Sequence, residues 1–221
     1  DVRTSSRARF SAAYAALAGQ GVTDVISIHV SAKASGTCQS AETAKGMVEG
    51  INVHVVDSTS ASMQMSFMLL EAARVAEAGG SVEDALAAIE TVKSRSCLIF
   101  TVTDVEHLAA SGRTEGHEKV TEAVVSLKPI VAVDGAPKAI GAERTQRAAL
   151  QKVLETVNQR RGENALRGLA VVNGNVQQRA EEWSKEAVTA LGFDAEPYVV
   201  DFGPALAVHF GPGLLGVAAH W

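Results

Sequence analysis

Two short segments of the chain combine residue types that can hold an anion. The first is Ser35-Gly36-Thr37, which follows the apolar run 25–30 and opens a helical pattern. A hydroxyl-rich turn at a helix start offers hydroxyl groups, backbone N–H groups without helical partners and the positive end of the helix dipole. The second is His209-Phe210-Gly211-Pro212-Gly213, which places an imidazole beside a glycine-rich turn. Together the two segments predict a site for a ligand with an anionic head group.

Each of these residues also has an ordinary structural interpretation. Serine is a common helix cap, so Ser35 could serve only to start its helix. His209 could be a buried structural histidine, or it could donate a hydrogen bond to a carboxylate or a phosphate near pH 7. Met65 and Met68 lie on the predicted helix 63–78, where they could belong to the core or line a pliable acyl tunnel. The sequence by itself leaves these alternatives open.

A hydrolase is the alternative of a different class. Ser35, His209 and Asp57 could form a serine hydrolase or esterase triad. However, the sequence contains no G-x-S-x-G nucleophile elbow. Ser35 also opens a helix beside a glycine and a threonine, an arrangement that suits the capture of an anion. Asp57 is interpreted first as the residue that ends its strand. The hydrolase is therefore the less favoured interpretation.

Composition excludes several other classes of function. The 221 residues are 47% hydrophobic and 20% charged, with a net charge of −5. This is the composition of a globular protein of one large or two small domains, and it argues against a nucleic-acid partner, which would require a basic face. No apolar run is as long as a membrane span. Cys38 and Cys97 match no metal or redox spacing, so we expect reduced thiols in the cytoplasm and no metal site.

The first half of the chain alternates between strand and helix patterns. Strands are predicted at 24–30 and 51–56, and helices at 6–18, from the Ser35 turn through Val48, and at 63–78. The predicted buried stripe of the last of these helices is Met65, Met68, Leu69, Ala72 and Val75. Ser81 and Asp84 predict a capping box that starts a further helix. This alternation indicates a parallel sheet with helices on its faces, in which ligands bind beyond the carboxyl ends of the strands. Ser35 follows the first of these strands, and Asp57-Ser58 follows the second.

The second half predicts a mixed α+β unit. Asp134-Gly135 between two strand-like runs is a strong hairpin signal. The further predicted elements are a strand at 98–102, hairpin strands at 129–133 and 136–142, helices at 144–159 and 176–191, and strands at 169–172 and 197–201. We therefore expect an α/β protein of two domains, residues 1–95 and 96–221.

An ordered set of motifs identifies a resemblance that extends from residue 4 to residue 213. The set comprises Thr4-Ser5, Ser35-Gly36-Thr37 with Gln39-Ser40-Ala41, Val56-Asp57-Ser58, Gly112-Arg113, Leu127-Lys128-Pro129-Ile130, Asp134-Gly135, Arg144-Thr145 and His209-x-Gly211-Pro212-Gly213. With these motifs the chain resembles the DegV family, bacterial fatty-acid-binding proteins that act as substrate subunits of a fatty acid kinase.

The resemblance implies a Rossmann-like parallel-sheet domain followed by a mixed-sheet domain, with a long-chain fatty acid between them. It places the carboxylate against Thr4 and Ser35, with Arg113 and His209 near the head group. Arg113 could equally be a solvated cation at a helix end. Gly36, Thr37 and Ser58 are expected to support the site.

The chain departs from the family pattern in three places. Thr4-Ser5-Ser6-Arg7-Ala8 stands where the family has Thr-Ser-Gln-Pro-Ser, and Ser111 replaces the first glycine of Gly-Gly-Arg. The first strand of the family, with its own Asp-Ser, is absent, so domain 1–95 is expected to lack that strand.

The resemblance also implies a function. It implies a carrier without a cofactor and without catalysis of its own, which presents the fatty acid to a separate ATP-dependent kinase subunit. The product would be an acyl phosphate for phospholipid synthesis.

Overall fold

A computed structural model describes residues 6–103 and 127–221. The helices in these ranges are α1 (Arg7–Gly19), α2 (Thr37–Lys45), α3 (Ser62–Glu77), α4 (Val82–Ser94), α5 (Gln146–Arg161), α6 (Gln177–Leu191) and α7 (Pro204–Phe210). The strands are β1 (Asp24–His29), β2 (Asn52–Asp57), β3 (Ser96–Thr101), β4 (Lys128–Asp134), β5 (Ala136–Glu143), β6 (Gly168–Asn173), β7 (Tyr198–Asp201) and β8 (Leu215–His220).

The strands form one small and one large sheet. β1 and β2 pair in parallel, from Asp24 opposite Asn52 to His29 opposite Asp57. The other six strands form a mixed sheet in the order β5-β4-β3-β8-β6-β7, in which only β6 and β7 pair in parallel. The predicted α/β fold class is therefore confirmed, with a small parallel sheet followed in the chain by a larger mixed one.

Local sequence signals place most element boundaries correctly. The predicted capping box starts α4, since Ser81 Oγ accepts from the Asp84 N–H at 3.1 Å and the Asp84 carboxylate accepts from the Ser81 N–H at 2.9 Å. The β4–β5 hairpin turns at Gly135, whose φ of +87° favours glycine. The prediction that the helix after Ser35 extends through Val48 is wrong, because α2 ends at Lys45.

The large sheet has an apolar cluster on each face. Leu98 and Phe100 of β3 point into the cluster beneath α3, α4 and the small sheet. Cys97 and Ile99 point into the opposite cluster, beneath α5 and α6. The alternation follows from the two-residue period of a strand, and it buries residues 97–101 of β3 on both faces. The small sheet, whose β1 leads into the Ser35 loop, thus packs on the face that carries α3 and α4.

One predicted core residue of α3 is exposed instead. Met68 and Ala72 are buried as predicted, whereas Leu69 is 54% exposed. Leu69 lies about 100° around the helix from Met68. It borders a groove of about 360 Å³ between α3, α4 and the edge of β1 that does not pair with β2.

Gly216 provides a test of the central packing. A Cβ at Gly216 of β8 would lie 2.3 Å from both the Ile99 carbonyl oxygen and Phe100 Cα. Because backbone atoms of a central strand cannot move aside, we expect Gly216→Ala to lower the free energy of unfolding by about 2 kcal/mol or more. Urea denaturation measures this change.

Gly19→Ala is the matched control. No atom lies within 4 Å of a Cβ at Gly19, the last residue of α1. This substitution should be neutral or stabilise by up to about 1 kcal/mol, since alanine is the better helix former. Equal stability of the two variants would contradict the packing of β8 against β3.

Candidate functional site

The loop between β1 and α2 carries the hydroxyl groups of the predicted anion site. Ser35 is half-buried, and its Oγ lies 2.9 Å from Thr37 Oγ1. The Thr37 N–H also donates to Ser35 Oγ at 3.3 Å, so Ser35 caps this turn as well. Two hydroxyls that share one hydrogen bond use only one of their two protons. The other proton can therefore be donated to an anion at the start of α2.

Asp57 shapes this loop from the end of the neighbouring strand. Its Oδ1 accepts hydrogen bonds from the Ala32 N–H at 3.1 Å and from the Thr59 N–H at 2.8 Å. The Ser31 N–H donates to the Ser60 carbonyl at 2.8 Å. The loops that follow β1 and β2 are thus tied to each other, and Asp57 positions the Ser35 loop. The sequence signal for this role is Asp-Ser-Thr after a strand, which is typical of a turn. The hydrogen-bond partner of Asp57, Ala32, is distant in the sequence, so the local pattern does not reveal it.

The Ser58 side chain is fully buried and takes part in its own turn. Its Oγ donates to the Ser60 carbonyl and accepts from the Ser60 N–H, both at 3.1 Å. The Ser58 N–H donates to the His29 carbonyl at 3.0 Å. Ser58 therefore holds the shape of the loop from within.

His209 lies half-buried in the last turn of α7. The glycine-rich loop after it is anchored at two points. Thr103 Oγ1 donates to the Pro212 carbonyl at 2.8 Å, and the Gly213 N–H donates to the Gly174 carbonyl at 2.8 Å. A Cβ at Gly213 would lie 2.7 Å from Thr103 Oγ1, so this close approach requires glycine. The loop thereby fixes the backbone on the C-terminal side of His209.

Aromatic packing holds the same segment against the large sheet. The Phe210 ring packs edge-on against Phe100 and Phe202, with centroid distances of 5.0 and 5.8 Å. Phe210 belongs to the apolar cluster that also includes Met68 and contacts Val30. Because Val30 leads into the Ser35 loop, both polar segments border one apolar cluster. Met68 itself is completely buried, in agreement with the core interpretation.

A chain of polar side chains lies beneath α1. The Tyr14 hydroxyl is 2.7 Å from Ser27 Oγ, which is 2.8 Å from His29 Nε2. The Phe10 ring packs edge-on against His29 at 5.0 Å. Burial lowers the pKa of His29 below its ordinary value, although nearby Glu42 opposes this effect. His29 is therefore a neutral structural residue at pH 7.

The two cysteines are free thiols of low reactivity. Both Cys38 and Cys97 are buried. Burial raises the pKa of the Cys97 thiol to about 12. Burial also raises the pKa of Cys38, and the negative charges of Asp57 and Glu42 add to the effect. Since the thiolate is the nucleophilic form, neither residue is a candidate nucleophile.

The structure places some of the predicted site residues and leaves others outside its ranges. Ser35, Gly36 and Thr37 are together at the start of α2, and His209 borders the same apolar cluster. Thr4 and Arg113 lie outside the described residues. Within residues 6–103 and 127–221, no hydrogen bond joins Asp57 to a histidine, and its carboxylate instead accepts loop N–H groups. The geometry of these residues thus offers no support for the hydrolase triad.

Two further classes of feature are absent from residues 6–103 and 127–221. Among the described residues, no group of three or more histidine, cysteine or acidic side chains is arranged to hold a metal ion. None of the described helices has the length and apolarity needed to cross a bilayer.

Sequence comparison relates the chain to proteins of known family. The model of the family described as "Uncharacterised protein, DegV family" matches residues 3–220. A DegV domain-containing protein of Halalkalibacterium halodurans is 31% identical over 203 residues, which cover 91% of this chain and 71% of that protein. Protein DegV of Bacillus subtilis is 31% identical over 207 residues, covering 90% of this chain and 71% of the relative.

Solved structures share the fold. DegV of Bacillus subtilis, described as a fatty acid binding protein, superimposes with a TM-score of 0.85 and 28% identity over 97% of this chain and 76% of that chain. A DegV family protein from Thermus thermophilus, described by its fatty acid binding, gives a TM-score of 0.84 and 28% identity with the same coverage. The family model spans nearly all residues of the chain, and the relatives in both sequence and structure are DegV proteins. The chain therefore belongs to the DegV family.

Proposed function

We propose that this protein binds a long-chain fatty acid, with the carboxylate at the start of α2 and the acyl chain against the apolar cluster between α3 and the large sheet. The observation that carries the proposal is the structural similarity to the fatty acid binding DegV of Bacillus subtilis. The anion-binding geometry of Ser35 and Thr37 supports it from within this chain.

The energetics of such a ligand divide between its two ends. Each buried methylene contributes about 0.8 kcal/mol, so an acyl chain of ordinary length can offset the cost of association. The carboxylate adds charge-assisted hydrogen bonds and the favourable dipole of α2. This division favours an apolar chain that carries a single anionic head group.

The remaining head-group contacts are assigned by the family resemblance. Thr4 would donate its hydroxyl to the carboxylate beside Ser35, while Arg113 and His209 would lie close to the same group. His209 is half-buried at the end of α7, where an imidazole can face a ligand and still be accessible to water. Two cationic donors near the head group would also favour the additional negative charge of a phosphate.

We propose further that the protein is a carrier that presents the fatty acid to an ATP-dependent kinase subunit in the cytoplasm. A carboxylate oxygen would attack the γ-phosphorus of ATP, which forms the acyl phosphate and releases ADP. Gly36 and Gln39 at the start of α2 are exposed, so a carboxylate bound there would be near the protein surface. A kinase active site could reach it without unfolding of the carrier.

Native mass spectrometry tests the identity of the ligand. Protein purified from cells should carry a non-covalent adduct with the mass of a long-chain fatty acid. After delipidation, added palmitate or oleate should restore a one-to-one adduct, whereas a short-chain acid such as butyrate should not, because it buries too few methylenes. Delipidated protein that ignores palmitate and oleate would contradict the proposal.

Substitution of Ser35 tests the position of the carboxylate. A hydrogen bond to a charged group contributes about 1.5–3 kcal/mol, so Ser35→Ala should weaken fatty acid binding about tenfold or more without unfolding the protein. Titration calorimetry of the delipidated protein measures the change.

Ser184→Ala is the control for this experiment. Ser184 lies on α6, across the large sheet from α3, and its hydroxyl donates to the Glu181 carbonyl of its own helix at 2.8 Å. Fatty acid binding by this variant should be unchanged. Equal binding by Ser35→Ala and Ser184→Ala would place the carboxylate elsewhere.

A reconstituted reaction tests the carrier role. This protein, oleate, ATP and the cognate kinase subunit should together yield acyl phosphate, trapped as the hydroxamate. Omission of either protein should abolish the product. If this protein alone hydrolyses p-nitrophenyl esters and Ser35→Ala abolishes that activity, the hydrolase alternative is correct instead.

A further inference from the structure

A polar cavity of about 290 Å³ lies between the loop that follows β2 and the turn of the β4–β5 hairpin. Lys33 and Lys93 line it from two different elements, the β1–α2 loop and the last turn of α4. The lining also includes Ser96, Gln64 and the hairpin turn Asp134-Gly135. The proposed fatty acid function uses none of these side chains.

A directed chain of hydrogen bonds ends at this cavity. The Ser60 hydroxyl donates to Gln64 Oε1, which leaves the Gln64 amide group to act as a donor. Gln64 Nε2 then donates to Ser96 Oγ at 3.0 Å. Ser96 Oγ is an acceptor in this bond, so its own proton is left for an acceptor in the cavity. The chain therefore makes Ser96 a hydrogen-bond donor toward any bound group.

The exposed Lys33 side chain lies over the hairpin turn. A Cβ at Gly135 would lie 3.1 Å from Lys33 Cδ and 3.5 Å from Lys33 Nζ. The lysine side chain thus occupies the space that the missing side chain of Gly135 leaves open. Within the described part of the chain, no ion pair engages Lys33. Lys33 therefore brings to the cavity an ammonium group that forms no ion pair with the described residues.

Lys93 adds a second cation with spare donors. Its Nζ contacts Glu90 Oε1 at 3.2 Å, and its side chain is only 25% exposed. An ammonium group has three N–H donors, so this contact leaves two for a ligand.

The acidic and carbonyl groups of the lining are already engaged. Both carboxylate oxygens of Asp134 accept from the Arg160 guanidinium, at 2.8 and 2.9 Å. Gln64 Oε1 accepts from Ser60. Among the described lining residues, the cavity thus presents two ammonium groups and the Ser96 hydroxyl donor, while the one carboxylate, that of Asp134, is paired with an arginine. Such a set of groups favours an anion.

We infer that this cavity binds a phosphate monoester, with the phosphate between Lys33, Lys93 and Ser96. Phosphate oxygens accept hydrogen bonds from all three groups at once. The cavity is larger than a phosphate ion requires, and Val133 in its lining provides an apolar contact for the organic part of the ligand. The site shares the β1–α2 loop with the proposed carboxylate position but uses different side chains, and its occupation requires no fatty acid.

NMR titration of the delipidated protein tests the inference. Inorganic phosphate and phenyl phosphate are added separately, and chloride keeps the ionic strength constant. We expect saturable shifts of the Lys33, Ser96 and Gly135 amides with both probes, and tighter binding of phenyl phosphate because of its apolar contact. Inorganic phosphate as the tighter ligand would show that the free ion, and not an ester, is the occupant. Shifts that stay linear in concentration with both probes would overturn the inference.

Charge-removing variants identify the groups responsible. Lys33→Gln, Lys93→Gln and Ser96→Ala should each weaken phenyl phosphate binding about fivefold or more. Lys138→Gln is the matched control, since Lys138 is exposed on β5 and the substitution removes the same charge. Binding by all three variants that equals that of Lys138→Gln would overturn the assignment. Thermal unfolding of each variant verifies that the fold is retained.

Discussion

The structure depends on the hydrogen bonds that join the loop after β2 to the loop after β1 and to the turn of the β4–β5 hairpin. Asp57 accepts the Ala32 N–H from the loop after β1, while the Thr59 carbonyl accepts the Gly135 N–H of the β4–β5 hairpin at 2.7 Å. A two-stranded sheet is marginally stable by itself and needs such support. These bonds connect the small sheet to the large one, and both candidate ligand sites border this connection.

Thr59 shows how firmly the connection is held. Its φ of +53° lies in the left-handed region, which a β-branched residue rarely adopts and which costs about 1–3 kcal/mol. Three hydrogen bonds compensate, because its N–H donates to Asp57, its hydroxyl donates to the Ser58 carbonyl at 2.7 Å and its carbonyl accepts from Gly135. The strained residue thus fixes the distance between the small sheet and the hairpin.

The proposed fatty acid site combines the hydrogen-bonded loops after β1 and β2 with the apolar cluster of the interior. Ser35 lies on a loop whose backbone Asp57 shapes, and His209 precedes a phenylalanine that two other aromatic rings hold against the large sheet. The hydroxyl donors are therefore preorganised and lose little entropy when an anion binds. In the proposed site, the apolar cluster between the sheets would supply the contacts of the acyl chain, whose energy grows with its length.

The local features of the fold can be predicted from the sequence, because their causes lie within a few residues. The turn Ser35-Gly36-Thr37 and the hairpin at Asp134-Gly135 are examples, and the order of such motifs was sufficient to identify the family. The role of β8 could not be predicted in this way, because its glycine- and alanine-rich sequence has weak strand propensity. This segment becomes a strand because it is buried between β3 and β6. Tertiary packing likewise sets the exposure of Leu69 and the placement of Lys33 and Lys93 around one cavity, since both depend on contacts between elements that are distant in the chain.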